Sequence, residues 1–118
     1  MKYHTFLPQF HAGILAGTKT QTLRGSTRVS IGDRFALRHW TGRPYGSPMG
    51  HLGTAMAVGV GRVSLDEYGL LSGCTEDPEQ FAKRDGFDSW AALVAHFGKR
   101  LPFDGVAIRW AGFVAGAP

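Results

Sequence analysis

The sequence predicts an α+β fold: a small mixed β-barrel with peripheral helices, built as one domain over residues 1–118. Three observations predict it. The elements run strand, helix, strands, two helices, strand. The strands are short, bounded by turn residues and mostly joined without helical crossovers, which favours a barrel over a doubly wound sheet. Seventeen glycines supply turns and bulges for such a sheet. At 43% hydrophobic and 19% charged residues, the composition is globular. A chain of 118 residues also buries a core without disulfide or metal staples.

Residues 2–6 read as a short strand. Pro8 then opens a short helix in which Phe10 and Ile14 share a face and Gly17 fits the position after the end. Residues 19–24, KTQTLR, are Thr-rich and predicted extended. Residues 31–33 make a turn. Residues 34–40 alternate Phe35, Leu37 and His39 against Ala36, Arg38 and Trp40, the pattern of a strand. Residues 41–53 are dense in Gly and Pro and predict a long loop. Residues 54–65 form a long apolar strand, bent at Gly59 and Gly61. Asp77, Pro78 and Gln80 form a capping box that opens a helix ending near Asp85, with Gly86 after it. A second helix starts at Asp88, and Trp90, Leu93, Val94 and Phe97 give it one apolar face. Residues 105–111 form the last strand, with Val106, Ile108 and Trp110 on one side.

Composition narrows the function. Cys74 is the sole cysteine, which excludes an internal disulfide framework and a thiolate metal cluster and favours a reducing compartment. No run approaches the roughly 18 apolar residues of a spanning helix. The opening MKYHTFLPQF lacks the apolar core of a secretion signal, so a cytoplasmic protein is expected, without membrane contact. Net charge is +4, unevenly placed. Residues 1–62 carry eight Lys and Arg against Asp33, for +7; residues 63–118 carry five against eight acids, for −3. A basic half suits an anionic or nucleic-acid partner, or serves only as a solubilising surface.

Several motifs fail. GILAGTKT at 13–20 has Thr18 where a phosphate loop needs Gly before Lys. GVGRVS at 59–64 lacks the third Gly of a dinucleotide fingerprint. His4, His11, His39, His51 and His96 have no metal-ligand spacing, and no Gly-flanked serine elbow occurs. No metal or cofactor is expected.

One constellation holds. Residues 10–24, FHAGILAGTKTQTLR, place Gly17, Lys19, Thr22 and Arg24 at the end of a helix and the start of a strand. Residues 31–38, IGDRFALR, lead a turn into a strand. FAKRDGFDSW at 81–90 and LPFDGVAIRW at 101–110 follow. In this order the segments resemble the ASCH family, which has a PUA-like fold. Many members carry Glu where this chain has Thr22. The Thr variant looks like the small bacterial amidohydrolases that remove the acyl group from N(4)-acetylcytidine. The resemblance implies a metal-independent hydrolase in which Lys19, Thr22 and Asp85 are catalytic. Those enzymes have Glu where this chain has Asp85.

The chemistry is self-consistent. Amide hydrolysis needs a nucleophile, a proton acceptor and stabilisation of an oxyanion. Thr22 supplies a hydroxyl, and Lys19 is a base if burial and Arg24 depress its pKa. Asp85 either orients Lys19, the substrate amine or a water, or protonates the leaving amine, and the roles conflict, because a charged Asp85 beside Lys19 favours the ammonium. Residues 19 and 22 of a regular strand point to opposite faces, so both reach one pocket only if Lys19 lies in the turn after Gly17 or a bulge intervenes. Arg24 is a candidate substrate-binding residue. Trp40 and Tyr45 flank the long loop and either stack a base or pack the barrel. Arg109 is a further candidate for substrate binding. The expected partner is a small-molecule nucleoside or RNA. The rival reading is an RNA-binding module or ribonuclease of the same fold, and a non-catalytic sensor of a modified nucleoside is a third. Oligomeric state is open; the apolar stretch 113–118 is a candidate surface for another chain.

Overall fold

The computed structural model describes residues 1–73 and 75–116; Cys74 and the last two residues of the 113–118 stretch lie outside them. The strands are β1 (Tyr3–Phe6), β2 (Gln21–Arg24), β3 (Arg34–Trp40), β4 (Met49–Asp66), β5 (Gly69–Ser72) and β6 (Phe103–Ala115). The helices are α1 (His11–Ala16), α2 (Pro78–Arg84) and α3 (Trp90–Phe97), with single 3₁₀ turns at Pro8–Phe10 and Gly98–Arg100. Among the described residues, no helix is long and apolar enough to cross a membrane.

The strands form one mixed sheet in the order β1-β3-β4-β6-β2, with β5 paired to β4. β1 runs parallel to β3, and the other pairs are antiparallel. The spine is the long β4–β6 ribbon. Its ladder slips between Thr54 and Met56 and again between Ala57 and Gly59. Extra residues at such slips bend a strand and strengthen its twist, so the sheet curls around its contents.

The α+β class holds, but the predicted small mixed barrel does not close. β1 and β2 end the path of strands and share no ladder. The gap between them is spanned by a side chain: Arg24 Nη2 of β2 donates to Thr5 O of β1 at 2.8 Å. The structure is therefore a curled, open sheet, and the opening lies beside the polar residues of β2.

The three helices fill the curl. Ile14, Phe81 and Leu93, one from each helix, are fully buried with Phe35, Leu37, Leu65 and Ile108 of the sheet. α1 ends at Gly17 with φ +81°, as predicted. Other expectations shift. Residues 49–53 belong to β4, so the loop is only 41–48. Gly53, read as part of that loop, instead marks a close approach within the sheet: a Cβ on it would lie 2.2 Å from Val114 O of β6. β5 was not predicted, because its residues GLLS show no alternation of apolar and polar side chains. Asp77 caps α2 without a side-chain bond, so the capping box does not form. The cap of α3 is Ser89, whose Oγ accepts from Ala92 N at 3.1 Å, in place of Asp88.

Candidate active site

Lys19 sits outside β2, in the turn behind α1. Gly13 O accepts both Thr18 N at 2.9 Å and Lys19 N at 3.0 Å, so the end of the helix and not a strand ladder fixes its backbone. Freed from alternation, Lys19 reaches the same cavity as Thr22 and Arg24. Its side chain is 1% exposed. Nζ donates to Gln21 O at 2.7 Å and to Asp85 O, both backbone carbonyls. It also lies 4.5 Å from the centre of the Phe10 ring.

Asp85 is the residue that ends α2. Gly86 follows at φ +96°, and a Cβ there would lie 2.8 Å from Lys19 Cδ. Only glycine both makes this turn and leaves room for the lysine stem. The Asp85 carboxyl is buried, and its Oδ1 accepts from Gln21 Nε2 at 3.2 Å.

Thr22 and Arg24 share one face of β2. Thr22 Oγ1 accepts from Arg24 Nε at 3.2 Å. The Arg24 guanidinium also stacks on Phe6, 4.9 Å from the ring centre. Lys19, Thr22, Arg24 and Asp85 thus line one cavity of about 460 Å³. Trp40 and Tyr45 line it too, with ring centres 5.0 Å apart. Tyr45 is 88% exposed and marks the mouth.

Burial governs the electrostatics. Desolvation lowers the Lys19 amine to about 8, aided by Arg24 and opposed by the Asp85 charge. It raises the Asp85 carboxyl to about 6, opposed by Lys19, the Gln21 hydrogen bond and Arg24. Both groups move toward their neutral forms, because a charge stripped of water costs more than the neighbouring opposite charge returns. Burial also lowers Arg24. Among the described residues, no three His, Cys, Asp or Glu side chains gather as metal ligands would.

Of the seven residues singled out from the sequence, six meet at this cavity and Arg109 does not. Arg109 lines a separate depression of about 470 Å³ with Gly59, Gly61 and Glu76. It donates from Nε to Gln21 Oε1 at 2.9 Å and from Nη2 to Glu76 Oε1. Gln21, fully buried, was missed. β2 reads QTLR, where polarity does not separate the buried face from the open one. His96 and Arg100 also line the cavity, contributed by α3 and the turn after it.

No family model matches the sequence, and no curated protein matches it. A solved structure does. The crystal structure of a mutant of ZmASCH from Zymomonas mobilis is similar over 96% of this chain and 68% of that one, at a TM-score of 0.56 and 17% identity. The fold is that of an ASCH protein. At that identity the likeness carries the architecture, and the chemistry is read from this chain's own residues.

Proposed function

We propose that this chain is an amidohydrolase that removes an acyl group from an acylated cytosine nucleoside such as N(4)-acetylcytidine. The observation that supports this reading most is Lys19 Nζ. It is buried, and the hydrogen bonds described for it go to two backbone carbonyls. Two carbonyls satisfy the two N–H groups of a neutral amine and leave its lone pair unused.

With Asp85 near 6 and Lys19 near 8, the ion pair dominates at pH 7. Moving one proton from Lys19 to Asp85 leaves the net charge unchanged and makes a base and an acid at once. Burial, which lowers Lys19 and raises Asp85, brings that form closer in energy to the ion pair. This resolves the conflict between the two roles of Asp85: the reactive form is a minor tautomer of the resting one.

In that form Thr22 Oγ attacks the acyl carbon and Lys19 takes its proton. Arg24, anchored to Thr22 and Thr5 through Nε and Nη2, offers Nη1 to the oxyanion. The C–N bond breaks as Asp85 protonates the leaving amine. Water then attacks the acyl-threonine and gives a proton to Asp85. Lys19 returns its proton to Thr22 Oγ as the carboxylic acid leaves, and the starting tautomer is restored. Trp40 and Tyr45 stack the pyrimidine at the mouth.

Incubation of the protein with N(4)-acetylcytidine at low salt tests the reading, with Thr22→Ala as control. Release of cytidine by the native protein and its loss in the variant are expected. The second reading, an RNA-binding module, draws on the basic half of the chain. It predicts no turnover and an RNA affinity that falls steeply with salt.

A further inference from the structure

Gln21 touches both members of the proton-exchanging pair. Its backbone carbonyl accepts from Lys19 Nζ at 2.7 Å, and its side-chain Nε2 donates to Asp85 Oδ1 at 3.2 Å. The other end of the amide is fixed as well. Arg109 stands opposite Gln21 in the β2–β6 ladder and donates Nε to Oε1 at 2.9 Å. Arg109 has only donors, so the amide oxygen faces the guanidinium and the amide nitrogen faces the carboxyl. Glu76 accepts from Arg109 and also holds Arg84, its Oε2 accepting Nη1 at 2.6 Å. Arg84 immediately precedes Asp85 in the chain, and its carbonyl accepts Thr20 N at 2.9 Å. The chain of contacts therefore runs from Asp85 through Gln21, Arg109, Glu76 and Arg84 back to Asp85.

We infer that Gln21 is a positioning residue for Asp85: its amide, oriented by Arg109, holds Oδ1 as an acceptor and leaves Oδ2 to carry the proton delivered to the leaving amine. The inference rests on the reading of Asp85 as the acid of an amidohydrolase. It gives Arg109 a role at the site without substrate contact. It also explains a buried glutamine on a strand whose other face is catalytic: a donor at Oδ1 favours the carboxylate, and so sets how much of the acid is present.

Other groups act on the same carboxyl. Lys19 of the turn and Arg24 of β2 do so directly, while His96 and Arg100 line the cavity from the α3 side. The test must therefore alter Gln21 and Arg109 alone. The Asp85 side-chain carboxyl is titrated by ¹³C NMR in the native protein, Gln21→Leu and Arg109→Met, with folding checked by circular dichroism. Arg109 is partly exposed, so its replacement keeps the test alive if Gln21→Leu fails to fold. In Gln21→Leu the donor is gone. In Arg109→Met the amide is free to turn its oxygen toward Asp85.

Both variants are expected to raise the Asp85 midpoint by about half a pH unit or more. The acidic limb of kcat/KM for N(4)-acetylcytidine should move with it. A midpoint unchanged in a folded variant, with native turnover intact, overturns the inference alone. Midpoints that rise in a native protein with no turnover overturn the hydrolase reading and leave the hold of Gln21 on Asp85 supported.

Discussion

Replacing Gly86 with Ala tests whether Lys19 is clamped in place. Two costs arise there, and the structure separates them. Gly86 has φ +96°, where an L-residue costs about 1–2 kcal/mol. Its new Cβ would also lie 2.8 Å from Lys19 Cδ and 3.1 Å from Phe10 Cδ1. Neither neighbour has somewhere to go. Phe10 is in the core, and the lysine stem cannot retreat without breaking the bonds from Nζ to Gln21 O and Asp85 O. Overpacking of this kind costs about 1–3 kcal/mol more, for about 2–5 kcal/mol in all. Gly32→Ala isolates the first cost: φ is +91° and nothing lies within 4 Å of its Cβ position. Urea unfolding of both variants should therefore show Gly86→Ala losing at least about 1 kcal/mol more than Gly32→Ala. Removing the stem in Gly86→Ala/Lys19→Ala should recover most of that excess as a coupling energy. Equal losses in the two glycine variants would refute the reasoning, since Lys19 would then be yielding freely and could not be held as a positioned base.

Three further outcomes are expected. Hydrolysis of N(4)-acetylcytidine should follow a bell in kcat/KM with limbs near pH 6 and 8: below the first the pair gains a proton and loses its base, above the second it loses its acid. Asp85→Asn keeps an oxygen for Gln21 and loses the proton donor, so a folded protein with turnover reduced about 10²–10⁴-fold is expected in a single-turnover assay. Stability should pass through a minimum between about pH 6 and 8, measured by urea unfolding across the range. The raised Asp85 value contributes stability below pH 3.8 that is lost as pH rises through about 6. The lowered Lys19 value contributes stability above pH 10.5 that is lost as pH falls through about 8.

Local chemistry made much of this molecule legible in advance. The end of α1 at Gly17, the end of α2 at Asp85–Gly86 and the apolar face of α3 each follow from a few neighbouring residues. The grouping of Lys19, Thr22, Arg24 and Asp85 came from the ordered motifs and not from periodicity, which argued against Lys19 and Thr22 sharing a pocket. What removed that objection is a backbone contact, Gly13 O to Lys19 N, between residues that no strand pattern relates. The start of β4 was misplaced for a related reason. Gly53 looks the same whether it serves a loop or a close approach, and only the position of Val114 O decides.

The sequence by itself determined which polar residues were candidates for one site and that short strands, turns and three helical segments would carry them. Those are properties of single residues and of spacings within one element. The tertiary structure alone decided that the sheet stays open between β1 and β2, with Arg24 across the gap. It alone turned Arg109 from the cavity toward Gln21, and it set the protonation of Lys19 and Asp85. Each of these depends on what surrounds a group in space, chiefly how much water is excluded and which donor faces which acceptor. Residues 21, 85 and 109 meet only once the sheet has curled.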